Sequence, residues 1–290
     1  MKGIVLAGGF GTRLHPSTIS VSKQLLPIYD KPLVYYPLST LMSSGITEIL
    51  IVTSEVDIAL FKKLFGDGSR LGINITYESQ THPNGIAEAF LIGEEFIGKD
   101  EVTLILGDNI FIGNKVSSQI FQDTKTSFIG NKIFAYQVPD PGRYGVVEFD
   151  EKFKAISIEE KPKDPKSHYA VTGLYLYDNK VVDIAKSLEP SARGELEITD
   201  INRVYLEDNS MEVCLLDAEE TWLDAGTPES MLEASHFVQT IQKRRSCQIG
   251  CPEEIALIKG YISKQEFMEL ARLSPKNSYG DYLRSLEFKD

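Results

Sequence analysis

Several residue types that chemistry often relies on are scarce here. One tryptophan, three cysteines and four histidines stand among 290 residues. The cysteines (Cys214, Cys247 and Cys251) are odd in number and form no framework, which suits a reducing compartment. Cys247-x3-Cys251 has no second ligand pair, so packed thiols are expected rather than a zinc site. The histidines (His15, His82, His168 and His236) show no metal-ligand spacing. No Gly-x-Ser-x-Gly elbow occurs, so nothing points to a serine nucleophile. No apolar run approaches the ~20 residues of a membrane span. The N-terminus reads as strand and loop rather than a secretory leader, and cytoplasm is the expected compartment. Cations are in deficit too: 30 against 42 acids, for a net charge of −12. That balance repels a nucleic-acid backbone, but a nucleotide needs only a few local cations and a metal.

What is present begins at once. Ile4 to Ala7 is a short apolar run of the kind that forms a buried strand. It empties into Gly8-Gly9-Phe10-Gly11-Thr12-Arg13, with three glycines in four positions. Glycine lets main-chain N–H groups approach an anion closely, and Arg13 adds a planar fork of donors suited to phosphate oxygens. A polyphosphate cradle is the first hypothesis, and a plain tight turn is its alternative. Two familiar glycine loops do not fit. The dinucleotide pattern lacks its third glycine, and Asp30 lies in a turn rather than at a strand end. The P-loop lacks Gly-Lys-Ser/Thr.

The length suits one large α/β domain, or one domain plus a subdomain. Strand signals at Ile4–Ala7, Ile49–Val52, Ile73–Glu78 and Val102–Leu106 alternate with helical ones at Pro32–Ser44, Val56–Phe65 and Ala87–Phe96. Such alternation argues an α/β fold: a Rossmann-like, mostly parallel mixed sheet flanked by helices. Ligands there sit outside the carboxyl ends of the strands. The middle is richer in strands, at Ile133–Val138, Gly145–Phe149, Ala155–Glu160 and Val171–Tyr177, then Val213–Leu216 and Thr221–Leu223. Helices are expected at Asn179–Leu188, Ile198–Glu207 and Pro228–Arg245, then from Cys251, at Ser263–Leu273 and at Ser278–Phe288. The expected organisation is an α/β domain over 1–245 and a helical C-terminal appendage over 246–290. Within the first, about 1–130 is the part where strands and helices alternate and about 131–227 the strand-rich part.

Charged residues stand at the mouths of these strands. Lys23 lies in an apolar, Pro-terminated segment and joins Arg13 as a second cation near the glycines. Asp108 follows Leu104-Ile105-Leu106-Gly107, and Asp224 follows Trp222-Leu223 ahead of a glycine turn. Each alone reads as a turn or cap residue. Together they suit a hard cation such as Mg²⁺, which takes oxygen ligands. Lys161 after Glu159-Glu160 is placed for a second phosphate, and Glu160 for sugar hydroxyls, unless the run is merely solvated. Tyr144-Gly145 and Val171-Thr172-Gly173 bring backbone close to a small polar ligand. Gln80 can pair with a base edge, and Gly85 lets a flat ring lie on the backbone.

These residues, in order, resemble the sugar-phosphate nucleotidylyltransferase family. Leu6-Ala7-Gly8-Gly9-x-Gly11-Thr12-Arg13-Leu14 and Lys23-Gln24-Leu25-Leu26-Pro27 carry the resemblance. Tyr29-Asp30-Lys31-Pro32, Leu106-Gly107-Asp108-Asn109, Arg143-Tyr144-Gly145-Val146, Glu159-Glu160-Lys161-Pro162 and Arg193-Gly194-Glu195-Leu196 narrow it to long-form members. It implies the reaction of dTTP with α-D-glucose 1-phosphate, giving dTDP-glucose and pyrophosphate, the first step toward dTDP-deoxysugars of the L-rhamnose type. It implies Asp108 and Asp224 as Mg²⁺ ligands. Gly8, Gly9, Gly11, Thr12, Arg13, Lys23 and Gln24 fall on the triphosphate side, with Gln80 and Gly85 on thymine. Asn109, Tyr144, Gly145, Glu160, Lys161 and Val171 fall on the sugar phosphate. It also implies a homotetramer with a second, feedback nucleotide site near Cys251, Glu253, Glu254 and Ile255. Phe10 and Ala225 depart from the family pattern, one inside the loop and one beside Asp224. In such a reaction the nucleophile is already an anion, so Arg13, Lys23 and Lys161 would act by positioning and charge neutralisation. An enzyme for UTP or another sugar 1-phosphate, and a non-catalytic nucleotide-sugar sensor, are the alternatives.

Overall fold

The computed structural model describes residues 1–9, 11–126 and 128–286. Phe10 lies outside the described residues, as do the last residues of the helix expected over Ser278–Phe288.

β1 (Lys2–Leu6) leads into the glycine loop, and a minimal hairpin of β2 (Pro27–Ile28) and β3 (Lys31–Pro32) precedes α1 (Tyr35–Ser43). β4 (Glu48–Thr53), α2 (Ile58–Phe65), β5 (Asn74–Ser79), α3 (Glu88–Ile92), α4 (Glu94–Ile97) and β6 (Val102–Leu106) follow. β1 pairs parallel with β4 on one side and β6 on the other, and β5 pairs parallel with β4. Ile4, Val5 and Leu6 are all buried, because helices cover both faces of this half. The single helix expected over Ala87–Phe96 is instead two short ones meeting at Gly93. A Cβ there would stand 3.0 Å from Ala89 O and 3.1 Å from Leu50 Cδ2, so the joint packs directly on the sheet.

β7 (Asn109–Ile112) and α5 (Lys115–Asp123) come next, and the sequence foreshadows neither. β8 (Asn131–Gln137), β9 (Gly145–Phe149), β10 (Ala155–Glu160) and β11 (Tyr169–Tyr177) form the antiparallel half. β11 runs antiparallel to β6 and reaches β9 and β8. α6 (Val181–Ser187), α7 (Ile198–Glu207) and β12 (Met211–Leu215) follow, β12 pairing with β8. β13 (Thr221–Asp224) pairs with β7 in a separate antiparallel ribbon. The chain ends with α8 (Pro228–Arg245), α9 (Pro252–Ile258), α10 (Lys264–Leu273) and α11 (Ser278–Ser285).

Alternate side chains of β1 feed two cores, one on each face. Val5, Ile51, Phe61, Phe65 and Ile105 fill the first; Ile4, Leu50, Phe90, Leu104 and Tyr177 fill the second. The C-terminal helices share the first core, where Cys251, Ala256, Phe267, Ala271 and Leu283 pack with α1 and α2 residues. Burying a side chain such as Phe267 contributes about 1.5–3 kcal/mol, so these helices are held by packing, not merely tethered. Among the described residues no helix is long and apolar enough to cross a membrane.

Candidate active site

Because β1 and β6 are parallel, the glycine loop and Asp108 leave the sheet on the same edge. Gly107 N donates to Leu6 O at 2.8 Å. The loop closes on itself at Gly11, whose carbonyl accepts from Leu14 N at 2.8 Å and Thr18 Oγ1 at 2.9 Å. Gly11 is left-handed (φ 56°), and a Cβ would meet Thr18 Cγ2 at 2.9 Å, so glycine is required there. Thr12–Leu14 forms a short 3-10 turn that leaves Arg13 exposed. Lys23 begins a second such turn, and its ammonium pairs with the Asp108 carboxylate. Gln24 is buried beneath, its Oε1 accepting from Ser22 Oγ at 2.5 Å, so its side chain props Gly107 from below.

Asp224 arrives by the β7–β13 ribbon. Its register partner is Asn109, and Ala225 N donates to Asp108 O at 3.0 Å. The two acids expected to meet are therefore neighbours. Burial pushes the Asp108 carboxyl up, but the Lys23 ammonium, with hydrogen bonds from Lys23 and Asn109, outweighs it and holds the group below the usual range. Asp224 moves the other way, pushed up to about 6 by burial and then by the charge of Asp108, against Lys23, Arg13 and Arg143. Two carboxylates beside one ammonium make a spot that a hard dication would relieve. Among the described residues no set of three or more metal-ligating side chains occurs. A divalent cation that keeps its waters needs only one or two carboxylates from the protein, with ligand phosphates supplying the rest.

A cavity of about 460 Å³ opens beside these acids. Arg13, Asp108, Asn109, Tyr144, Gly145, Glu160, Lys161, Val171 and Asp224 all line it, with Arg143 and Trp222. Asn109 is held rigidly: its Oδ1 accepts from Trp222 Nε1 at 2.5 Å and Gly173 N at 2.9 Å, which turns Nδ2 toward Asp108 Oδ1 at 3.2 Å. Glu160 accepts from Thr199 Oγ1 at 2.6 Å and lies 3.3 Å from Lys161 Nζ and 3.6 Å from Arg193 Nη2. Lys161 has φ 45°, a left-handed backbone that costs strain in any residue but glycine, and its N–H is tied to Tyr144 O at 3.0 Å. Arg143, Arg193, Thr199 and Trp222 carry no role in the sequence reading. Their signal was proximity: each adjoins or lies within a segment already singled out.

Gln80 is buried against the loop, and a Cβ on Gly8 would stand 2.5 Å from its Oε1. The expected base end and phosphate end are thus continuous. Packing also requires glycine at position 85, whose φ is +111°. The place of its missing side chain is filled by the Leu196 main chain, with O at 2.3 Å from an added Cβ. A second cavity, of about 230 Å³, is lined by Tyr36, Ser39, Asn114, Gln248, Cys251, Glu254 and Ile255. Glu253 is not in its lining: it is buried nearby and accepts from Tyr279 Oη at 2.6 Å. Burial, and then the charge of Glu253, push the Cys251 thiol up, so it is an inert packed thiol.

A glycine loop, a carboxylate pair and a cavity on one edge of an α/β sheet are the parts that a nucleotidyl-transfer site needs. The chain belongs to the nucleotidyl transferase family, whose model matches residues 2–241. It is 57% identical over 286 residues to the glucose-1-phosphate thymidylyltransferase of Neisseria meningitidis serogroup A / serotype 4A, covering 99% of each chain. A crystal structure of a Bacillus anthracis protein assigned as a glucose-1-phosphate thymidylyltransferase, in complex with sucrose, superposes with a TM-score of 0.76. It is 43% identical, over 82% of this chain and 94% of that one. A UDP-glucose pyrophosphorylase complexed with UDP-glucose matches with a TM-score of 0.72 at 25% identity, over 83% of this chain and 98% of that one.

Proposed function

We propose that this chain transfers a thymidylyl group from dTTP to α-D-glucose 1-phosphate, forming dTDP-glucose and pyrophosphate. The observation that carries it is the Lys23–Asp108–Asp224 group between the glycine loop and the 460 Å³ cavity. It lies where the α-phosphorus of a nucleotide on the loop would face a sugar phosphate in the cavity. Full-length similarity to a thymidylyltransferase supports the choice of substrates.

A phosphate oxygen of the sugar phosphate attacks the α-phosphorus in line, and the bond from that phosphorus to the α,β-bridging oxygen breaks, so pyrophosphate leaves. The nucleophile needs no general base. Main-chain N–H groups of Gly8, Gly9, Gly11 and Thr12 cradle the triphosphate, with Gln24 supporting the turn. Arg13 and Lys23 neutralise charge growing on pyrophosphate. Lys161 holds the sugar phosphate, Glu160 accepts sugar hydroxyls, and Asn109, Tyr144, Gly145 and Val171 shape the wall. Gln80 and the Gly85 segment meet thymine. Mg²⁺, held by Asp108 and Asp224, would screen the repulsion between the two anions. The working form is a cytoplasmic homotetramer at the first step of dTDP-deoxysugar synthesis of the L-rhamnose type. Its product-feedback site is the 230 Å³ cavity at Cys251, Glu254 and Ile255, with Glu253 behind it.

The similarity to a UDP-glucose pyrophosphorylase favours a second reading, in which UTP is the donor. Uracil lacks only one methyl, and one methyl gives about 10–200-fold discrimination. Pyrophosphate release with dTTP, UTP and ATP against a set of sugar 1-phosphates decides. The dTTP and glucose 1-phosphate pair should give the highest kcat/KM. Equal use of UTP supports the second reading, and no release with any pair makes the chain a nucleotide-sugar sensor.

A further inference from the structure

Gln80 does not hang freely at the base end of the loop. Its Nε2 donates to Glu88 Oε2 at 2.7 Å and to Gly85 O at 3.2 Å. Glu88 Oε1 in turn accepts from Asn84 Nδ2 at 2.7 Å. An amide nitrogen has two hydrogens, and both are engaged by acceptors that cannot become donors while Glu88 is ionised. The amide therefore has one orientation. Its oxygen points the other way, toward the Gly8 main chain, and among the described residues no donor is paired with it.

We infer that Glu88 is a positioning residue for nucleotide choice: by locking the Gln80 amide it makes Gln80 a hydrogen-bond acceptor only, so the pocket takes bases whose ring nitrogen carries a proton. Thymine and uracil present N3–H there. Cytosine presents a lone pair at the same position, so acceptor would face acceptor, and a desolvated unpaired group is costly. Adenine N1 fails for the same reason. The inference rests on the reading of Gln80 and the Gly8 loop as the base pocket. It adds that the discriminating element lies one residue further out, in a carboxylate that never touches the nucleotide. A glutamine at position 88 would have the same shape but could donate or accept, and the Gln80 amide could then turn over.

The test compares kcat/KM for pyrophosphate release with dTTP and with dCTP, at saturating glucose 1-phosphate, in the wild type, Glu88→Gln, Glu88→Ala and Gln80→Ala. Each ratio is internal to one preparation, so it does not depend on the fraction folded. In Glu88→Gln the dCTP to dTTP ratio should rise by about 10-fold or more, through KM for the nucleotide rather than kcat. A ratio within twofold of wild type in both Glu88 variants overturns the role of Glu88. If that happens while Gln80→Ala does move the ratio, the base pocket stands and only the positioning role falls. If Gln80→Ala also leaves the ratio and the KM for dTTP unchanged, the pocket reading itself is wrong and the inference falls with it.

Discussion

Lys23 and Lys31 stand a short way apart in the chain, one half-buried and one buried, each beside an aspartate, and they are used in opposite ways. The Lys31 side chain is 3% exposed and its Nζ meets four acceptors: Asp30 Oδ1 at 2.6 Å, Gln248 Oε1 at 2.9 Å, Ile249 O at 3.0 Å and Gln242 Oε1 at 3.1 Å. The rings of Tyr36 and Tyr279 lie over it at 5.4 and 5.6 Å. Burial pulls its pKa down, and the Asp30 charge opposes that. Every donor is matched, so the group ties the β2–β3 hairpin to the end of α8 and offers nothing to a ligand. Lys23 pairs with one carboxylate, and beside that pair Asp224 carries a charge for which the described residues supply no hydrogen bond. A buried charge with its partners complete is structure. One left short of partners is a place for a ligand to finish.

That contrast can be broken at either lysine's neighbourhood. Asp108→Asn should abolish metal-dependent pyrophosphate release, and Arg13→Ala should lower kcat by about 10²-fold or more, while both variants keep the wild-type melting profile within a few degrees. Unchanged turnover and an unchanged Mg²⁺ titration in either would remove the catalytic half of the comparison. Lys31→Met is expected to cost about 3–5 kcal/mol in denaturant unfolding, since it strands Asp30 and two glutamines, with the folded fraction still turning over. An unaltered midpoint would show that the Lys31 network is ornamental.

The smallest effect concerns pH. Burial and the charge of Asp108 push Asp224 up to about 6 in the folded chain, so folding favours its protonated form more than the unfolded chain does. Its stabilising contribution is complete below the unfolded pKa of about 4 and is lost as pH rises through about 6. Asp224→Asn is neutral throughout. In metal-free buffer it should be more stable than wild type at pH 8 by about 3 kcal/mol, with the gap closing toward pH 4. Thermal melts across that range check the sign, and a wild type that is the more stable at pH 8 would show that Asp224 has a partner after all.

The parallel half of the fold was legible because β1, β4 and β6 are nearly continuous apolar runs, a pattern that packing on both faces imposes. The pairing of Asp108 with Asp224 was legible as a possibility, since each follows a strand. What brings them together was not, because Asn109–Ile112 sits directly behind a glycine turn and reads as its continuation. α5 was missed for want of an apolar stripe: only Val116 and Ile120 are buried. Lys31 read as part of a turn because its partners lie more than 200 residues on, at Gln242 and Gln248. Glu88 has no reading in the sequence beyond its place in the helix expected over Ala87–Phe96. Its meaning depends on which end of an amide it faces, and that is a property of three-dimensional contact alone.

The β7–β13 ribbon has a consequence for how the molecule comes into being. A growing chain releases the glycine loop, Lys23 and Asp108 early, and the parallel half can close around them from local βαβ units. The second acid is delivered only when Thr221–Asp224 arrives and zips onto Asn109–Ile112, a contact of long sequence separation that forms late for entropic reasons. A chain that ends before Thr221 has Asp108 but not the acid beside it. The last strand added is thus the one that sets Asp224 beside Asp108.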